Sequence, residues 1–214
     1  GKDVACEKPL TRNIAEGRKL ADLVARKAKV FRTDSEFRSN RTFHRAAEMV
    51  RNGKIGALQR IISSTPRDST LAAQPEMPVP AELDFDLWLG PAPLAPYTEQ
   101  RVHPRRDAKG RPGWLCIRDY ADGMLANWGA HLNDIALWAN DSDRTGPVEI
   151  EGTGKYPPAG NLWDIIQEFT VHFTFANGVR LTCQTDKPYL RFEGTEGWIH
   201  VTYPNGIETQ PESL

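Results

Sequence analysis

Phe169, Val171, Phe173 and Phe175 alternate with Thr170, His172 and Thr174. This period of two predicts a strand with one face buried and the other polar. Asn177-Gly178 follows at once, the pair that best supplies the positive φ angles of a two-residue hairpin turn. Val179 to Cys183 then alternates in the same sense. The β pattern fills the last third of the chain, with strands predicted over residues 148–154, 164–175, 179–185, 189–193 and 198–203. His172 and His200 fall on polar strand positions and read as solvated side chains.

Residues 123–139 follow a helical period instead. Asn127, His131, Asp134 and Trp138 stand at offsets of 0, 4, 7 and 11, which puts them along one helical face. Amide, imidazole and carboxylate are costly to bury without partners, so this stripe suits the wall of a cleft. A core histidine satisfied by its own hydrogen-bond partner is the other arrangement that the pattern allows.

At the front, residues 3–6 read as a short strand running into Glu7-Lys8-Pro9, followed by a helix over about residues 13–27 and a strand over 29–33. That is a strand-helix-strand unit of ordinary size. Lys8 stands where the first strand ends, a position at which open α/β sheets place ligand-contacting groups. A surface lysine at a strand end is the plainer alternative. Residues 41–52 predict a helix ended by Asn52-Gly53, and residues 55–64 a strand. Residues 65–83 and 91–113, rich in proline and polar residues, read as long loops on either side of a short amphipathic turn at 84–89. Together these elements predict an α+β class, a mostly antiparallel sheet packed against helices along one face.

Composition adds exclusions. With 39% hydrophobic and 26% charged residues and a net charge of −1, the chain can build a core and carries no bias toward nucleic acid or membrane. Cys6, Cys116 and Cys183 are odd in number and lack metal-ligand spacing, so reduced, buried thiols are expected and neither a disulfide framework nor a metal site is. Arg101, Arg105, Arg106, Lys109, Arg111 and Arg118 form a basic stretch. It is either a solvated loop or a cover for an anionic or polyhydroxylated ligand.

Several of these segments carry a resemblance. Glu7-Lys8-Pro9, then residues 33–40 (Thr33 to Asn40), Trp88-Leu89-Gly90-Pro91-Ala92-Pro93, Asn127-Trp128-Gly129-Ala130-His131 with Asp134, and Arg191 to Trp198 resemble, in order, the glucose-fructose oxidoreductase, inositol dehydrogenase and rhizopine catabolism family, Gfo/Idh/MocA. The resemblance implies an NAD- or NADP-dependent oxidoreductase acting on the CH–OH group of a sugar or polyol. It implies a division at residue 33: residues 1–33 as the last βαβ portion of a Rossmann domain, and residues 34–214 as the substrate-binding and oligomerisation domain. No G-x-G-x-x-G occurs in the chain, so the main cofactor site is expected outside it and the chain alone is expected to be inactive.

By the same resemblance His131 is the general base and Lys8 the cation beside the developing alkoxide, with Asn127 as the third catalytic residue. Glu7, Lys8 and Pro9 lie on the cofactor side, and Asp134, Arg118 and Trp128 contact substrate. The family more often has aspartate where this chain has Asn127. An amide here is expected to orient the imidazole or a hydroxyl, but it cannot add negative charge. Two further readings stand beside the dehydrogenase: an NAD-assisted glycosidase or lyase, and a sugar-binding or oligomerisation module without chemistry. The expected partners are a sugar or polyol and further copies of the chain, docked through the sheet face. The expected compartment is the cytoplasm, or the periplasm if an export signal lies upstream.

Overall fold

The computed structural model describes residues 1–103 and 113–214. Arg105, Arg106, Lys109 and Arg111 of the basic stretch lie outside the described residues. In chain order the elements are β1 (Val4–Cys6), α1 (Ile14–Arg26), β2 (Phe31–Thr33), α2 (Arg41–Arg51), β3 (Leu58–Thr65), α3 (Phe85–Leu89), α4 (Glu99–Val102), α5 (Gly123–Ala139), β4 (Glu149–Lys155), β5 (Glu168–Thr174), β6 (Arg180–Thr185), β7 (Tyr189–Gly194), β8 (Trp198–Thr202) and β9 (Gly206–Gln210). Short 3-10 turns occupy Glu36–Ser39 and Gly113–Cys116.

The chain divides into two compact units, one of Gly1–Pro66, Leu125–Gly152 and Thr170–Leu214, the other of Arg67–Met124 and Thr153–Phe169. In the first unit β1 and β2 pair in parallel, Val4 opposite Phe31 and Cys6 opposite Thr33. The helix between them starts on a reciprocal cap. Glu16 N donates to Asn13 Oδ1 at 2.9 Å and Asn13 N to Glu16 Oε2 at 3.3 Å, which satisfies two backbone donors at the helix start. None of the residues of α1 is buried. Cys6 is half-buried, which corrects the expectation of three buried thiols, while Cys116 and Cys183 are buried.

The large sheet has seven strands in the order β4-β5-β6-β3-β7-β8-β9. Strand β3 runs parallel to β6 and antiparallel to β7, and the β5-β6, β7-β8 and β8-β9 pairs are antiparallel. Leu181, Ile61, Phe192 and Ile199 lie opposite one another across four strands, and each is at most 2% exposed. That row forms one core with Phe43, Ala46 and Val50 of α2 and Leu132, Ile135 and Ala136 of α5. Burial of this kind contributes about 25 cal/mol per Å² of apolar surface. Polar contacts fix the register of α5 on the sheet, since Ser63 Oγ donates to Asn133 Oδ1 at 2.6 Å and Asn133 Nδ2 reaches Cys183 Sγ at 3.6 Å. The predicted α+β class with a mostly antiparallel sheet on helices is the one observed.

Some boundaries differ from the sequence expectation. The third strand begins at Leu58 and not at residue 55, because Gly56 takes a φ of +73° and a bulge follows between Leu58 and Arg60. Strand β5 begins at Glu168 and not at residue 164. Before it, Leu162, Trp163 and Ile165 turn into the small core of the second unit with Cys116 and Ile117. Strand β9 was not expected, since Ile207 is its sole strongly apolar residue. His172 is exposed as expected, but His200 is half-buried and lies against Tyr189 with ring centroids 4.9 Å apart, so it is not a solvated position.

Candidate active site

The site is built in the first unit. Strand β1 ends at Cys6, and two residues on the half-buried Lys8 directs its ammonium at α5. Lys8 Nζ donates to the Asn127 carbonyl oxygen at 3.3 Å and to Asn127 Oδ1. One helical turn after Asn127 comes His131, which is 8% exposed. Its ring stacks on Phe37 at 4.4 Å and 14°. His131 Nε2 lies 3.5 Å from Glu36 Oε1, and Nδ1 is buried without a hydrogen-bond partner.

The expected orienting contact from Asn127 to His131 is therefore absent, and Asn127 serves Lys8. The physical reason is charge. A carboxamide oxygen beside an ammonium makes a charge-assisted hydrogen bond, which is stronger than the neutral bond it would make to imidazole.

Burial pushes the His131 pKa below the ordinary histidine value, and the Lys8 charge adds to this; Glu36, Asp34 and Asp134 act the other way. The ring is accordingly neutral near neutral pH, the form that accepts a proton. Around it, Tyr203 also stacks on Phe37, at 5.6 Å and 9°, and Trp128 stands edge-on to Phe37 and Tyr203 at 6.2 and 5.8 Å. An ammonium, a neutral imidazole and an aromatic wall can together bind a hydroxyl, take its proton and hold the resulting oxyanion.

A family model described as the C-terminal alpha/beta domain of an oxidoreductase family, Gfo/Idh/MocA, matches residues 69–211, more than half of the chain. The chain belongs to the Gfo/Idh/MocA oxidoreductase family.

Solved structures share its fold. A Caulobacter crescentus aldose-aldose oxidoreductase complexed with glycerol is 14% identical, with a TM-score of 0.68 over 99% of this chain and 54% of its own. An oxidoreductase domain protein from Kribbella flavida is 18% identical, with a TM-score of 0.67 over 100% of this chain and 52% of its own. GenD2 from gentamicin A biosynthesis, in complex with NAD, is 16% identical, with a TM-score of 0.61 over 93% of this chain and 47% of its own. The chain thus spans about half the length of these relatives. No curated protein matches it.

Glu7 and Pro9 flank Lys8 and are exposed. Trp128 stands in the aromatic wall beside Phe37. Asp134 has both carboxylate oxygens engaged by Arg38, from Nε at 2.7 Å and from the terminal nitrogen at 2.8 Å. That same nitrogen also reaches Asp143 at 2.7 Å, and the guanidinium lies 5.3 Å from the Trp138 ring. Asp134, first among these partners, holds the Arg38 pKa above its ordinary value. The stripe on α5 is thus shared. Asn127 and His131 meet Lys8 and Glu36, while Asp134 and Trp138 hold Arg38 and with it the Glu36–Ser39 turn.

Arg118 belongs to the second unit, where its backbone N–H donates to Asp164 Oδ1 at 2.8 Å and its Nε lies 3.8 Å from Asp164 Oδ2.

Glu36, Phe37 and Tyr203 had no role assigned from the sequence. A signal existed for the first two, because they follow β2 directly and so share with Lys8 the C-terminal ends of the parallel β1-β2 pair, where α/β ligands bind. Nothing in the local sequence marks Tyr203. Among the described residues no helix is long and apolar enough to cross a membrane, and no group of three His, Cys, Asp or Glu side chains is arranged to hold a metal.

Proposed function

We propose that this chain supplies the substrate side of an NAD- or NADP-dependent oxidoreductase that oxidises a CH–OH group of a sugar or polyol. The observation that carries the proposal is the convergence of Lys8 and His131 on α5: an ammonium bonded to Asn127, one turn from a buried imidazole held neutral.

His131 takes the hydroxyl proton at Nε2, since Nδ1 is buried. Lys8 holds the oxygen as negative charge develops on it, and Asn127 fixes the ammonium in place. Trp128 and Tyr203 offer apolar ring faces to the carbon-bound side of the substrate.

The end of β1 fits a nicotinamide, because Glu7, Lys8 and Pro9 follow a parallel strand at the position where α/β sheets meet such ligands. When bound, that cofactor supplies the hydride acceptor. Residues 1–33 are proposed to belong to the domain that holds it, a reading supported by the apolar surface of this βαβ unit, where Ile14 is 93% and Val30 65% exposed. The sheet face away from the helices is proposed to join copies of the chain.

The test uses the whole protein in which this chain occurs, assayed for nicotinamide reduction with sugars and polyols. Lys8→Ala and His131→Ala are each expected to lower kcat by about 10²-fold or more with a smaller change in KM. Both variants remaining at wild-type turnover would refute the assignment.

A further inference from the structure

Asp134, the carboxylate on the helix of His131, has both oxygens engaged by Arg38, and the fold brings in a carboxylate from elsewhere. Glu36 lies in the turn after β2, and its Oε1 stands 3.5 Å from His131 Nε2. Two contacts hold that turn against α5. Phe37, the next residue, is 4% exposed and stacked on the His131 ring. Arg38 then clamps the turn to α5 through both oxygens of Asp134. The side chain of Glu36 is 62% exposed and that of His131 is 9% exposed, so the carboxylate stands at the solvent side of a ring that is otherwise enclosed.

We propose that Glu36 is the acidic partner of His131, the group that stabilises the imidazolium formed when His131 removes a hydroxyl proton. The inference rests on the reading of His131 as the base. In the step, the O–H bond breaks with its electron pair left on oxygen beside the Lys8 ammonium, and an N–H bond forms at Nε2. The new positive charge on the ring then lies next to the Glu36 carboxylate. Glu36 is the largest of the charges that oppose burial and the Lys8 cation, both of which weaken the ring as a base; Asp34 and Asp134 act in the same sense but less. The charged groups that face the ring are Lys8 after β1, Asp34 and Glu36 after β2, and Asp134 on its own helix. Asp134 is neutralised by Arg38. Glu36 is a positioning residue here, acting through His131 and not on the substrate.

The decisive experiment is an NMR titration of the histidine ring carbons in the whole protein, with His131 assigned by the loss of its signal in His131→Asn. In Glu36→Gln, which keeps the shape of the side chain, the His131 midpoint is expected to move to lower pH, and Glu36→Asp is expected to retain part of the wild-type value. The acidic limb of the kcat/KM profile should move in the same direction, with a fall in kcat smaller than the about 10²-fold of a directly acting acid or base. A His131 midpoint unchanged or raised in Glu36→Gln would overturn the proposal. The titration does not depend on turnover. If His131→Asn proves fully active while Glu36→Gln still moves the midpoint, it is the assignment of His131 as base that fails, and the pairing stands.

Discussion

Phe37 is the residue whose replacement tests most about how this site is made. Its ring is 4% exposed and touches Phe43 at 4.5 Å, His131 at 4.4 Å and Tyr203 at 5.6 Å between centroids. Phe→Ala at an enclosed position costs about 3–5 kcal/mol. Because Tyr203 is 54% exposed and can settle into part of the space, the low end, about 3 kcal/mol, is expected here. Phe37→Leu keeps most of the volume and loses the ring contacts, which places its cost at about 1–1.5 kcal/mol.

The functional consequence has a fixed sign. Burial is the largest cause of the lowered His131 pKa, and Phe37 supplies one covering face, so in Phe37→Leu the His131 midpoint should rise toward the ordinary histidine value of 6.5. Urea unfolding gives the first quantity and a histidine NMR titration the second. A Phe37→Ala variant that loses less than about 1 kcal/mol, together with an unmoved His131 midpoint in Phe37→Leu, would refute the claim that this ring is what encloses the base.

Two further outcomes follow from the same contacts. Asp134→Asn should destabilise by about 1 kcal/mol and by less at high salt, because Arg38 is about a third exposed and keeps Asp143 and Trp138; a loss above about 3 kcal/mol in urea unfolding would mean that the pair is effectively buried. His131 and His200 both have pKa values lowered chiefly by burial. The unfolded chain therefore takes up protons near pH 6.5 that the folded chain refuses, and stability should fall as pH drops through that value. Unfolding curves between pH 5 and pH 8 check this, and His131→Asn should flatten the dependence; an equally steep dependence in that variant would contradict it.

The elements that could be read from the chain are those that repeat a period or carry a turn signal. Asn177-Gly178 and the alternation on both sides gave the β5-β6 hairpin, and offsets of four and seven gave the α5 stripe. The hidden parts depend on distant partners. No local pattern ties Glu36 to His131, because the Glu36–Ser39 turn is too short to show a period and its place is set by the Arg38 clamp. The partner of Asn127 could not be inferred either, since a helical stripe says which residues share a face and not which cation arrives from another strand. Strand β9 carries no signal of its own in the sequence, because it is held by pairing to β8, Ile199 opposite Thr209 and Val201 opposite Ile207, with little apolar content.

The central claim is that one hydroxyl is held between Lys8 and His131. A crystal structure of the whole protein with its nicotinamide cofactor and a turned-over sugar or polyol tests it most directly. The predicted result is a substrate hydroxyl oxygen within about 3.2 Å of both Lys8 Nζ and His131 Nε2. A substrate whose oxidised carbon faces away from α5, with His131 Nε2 contacting no hydroxyl, would contradict the account.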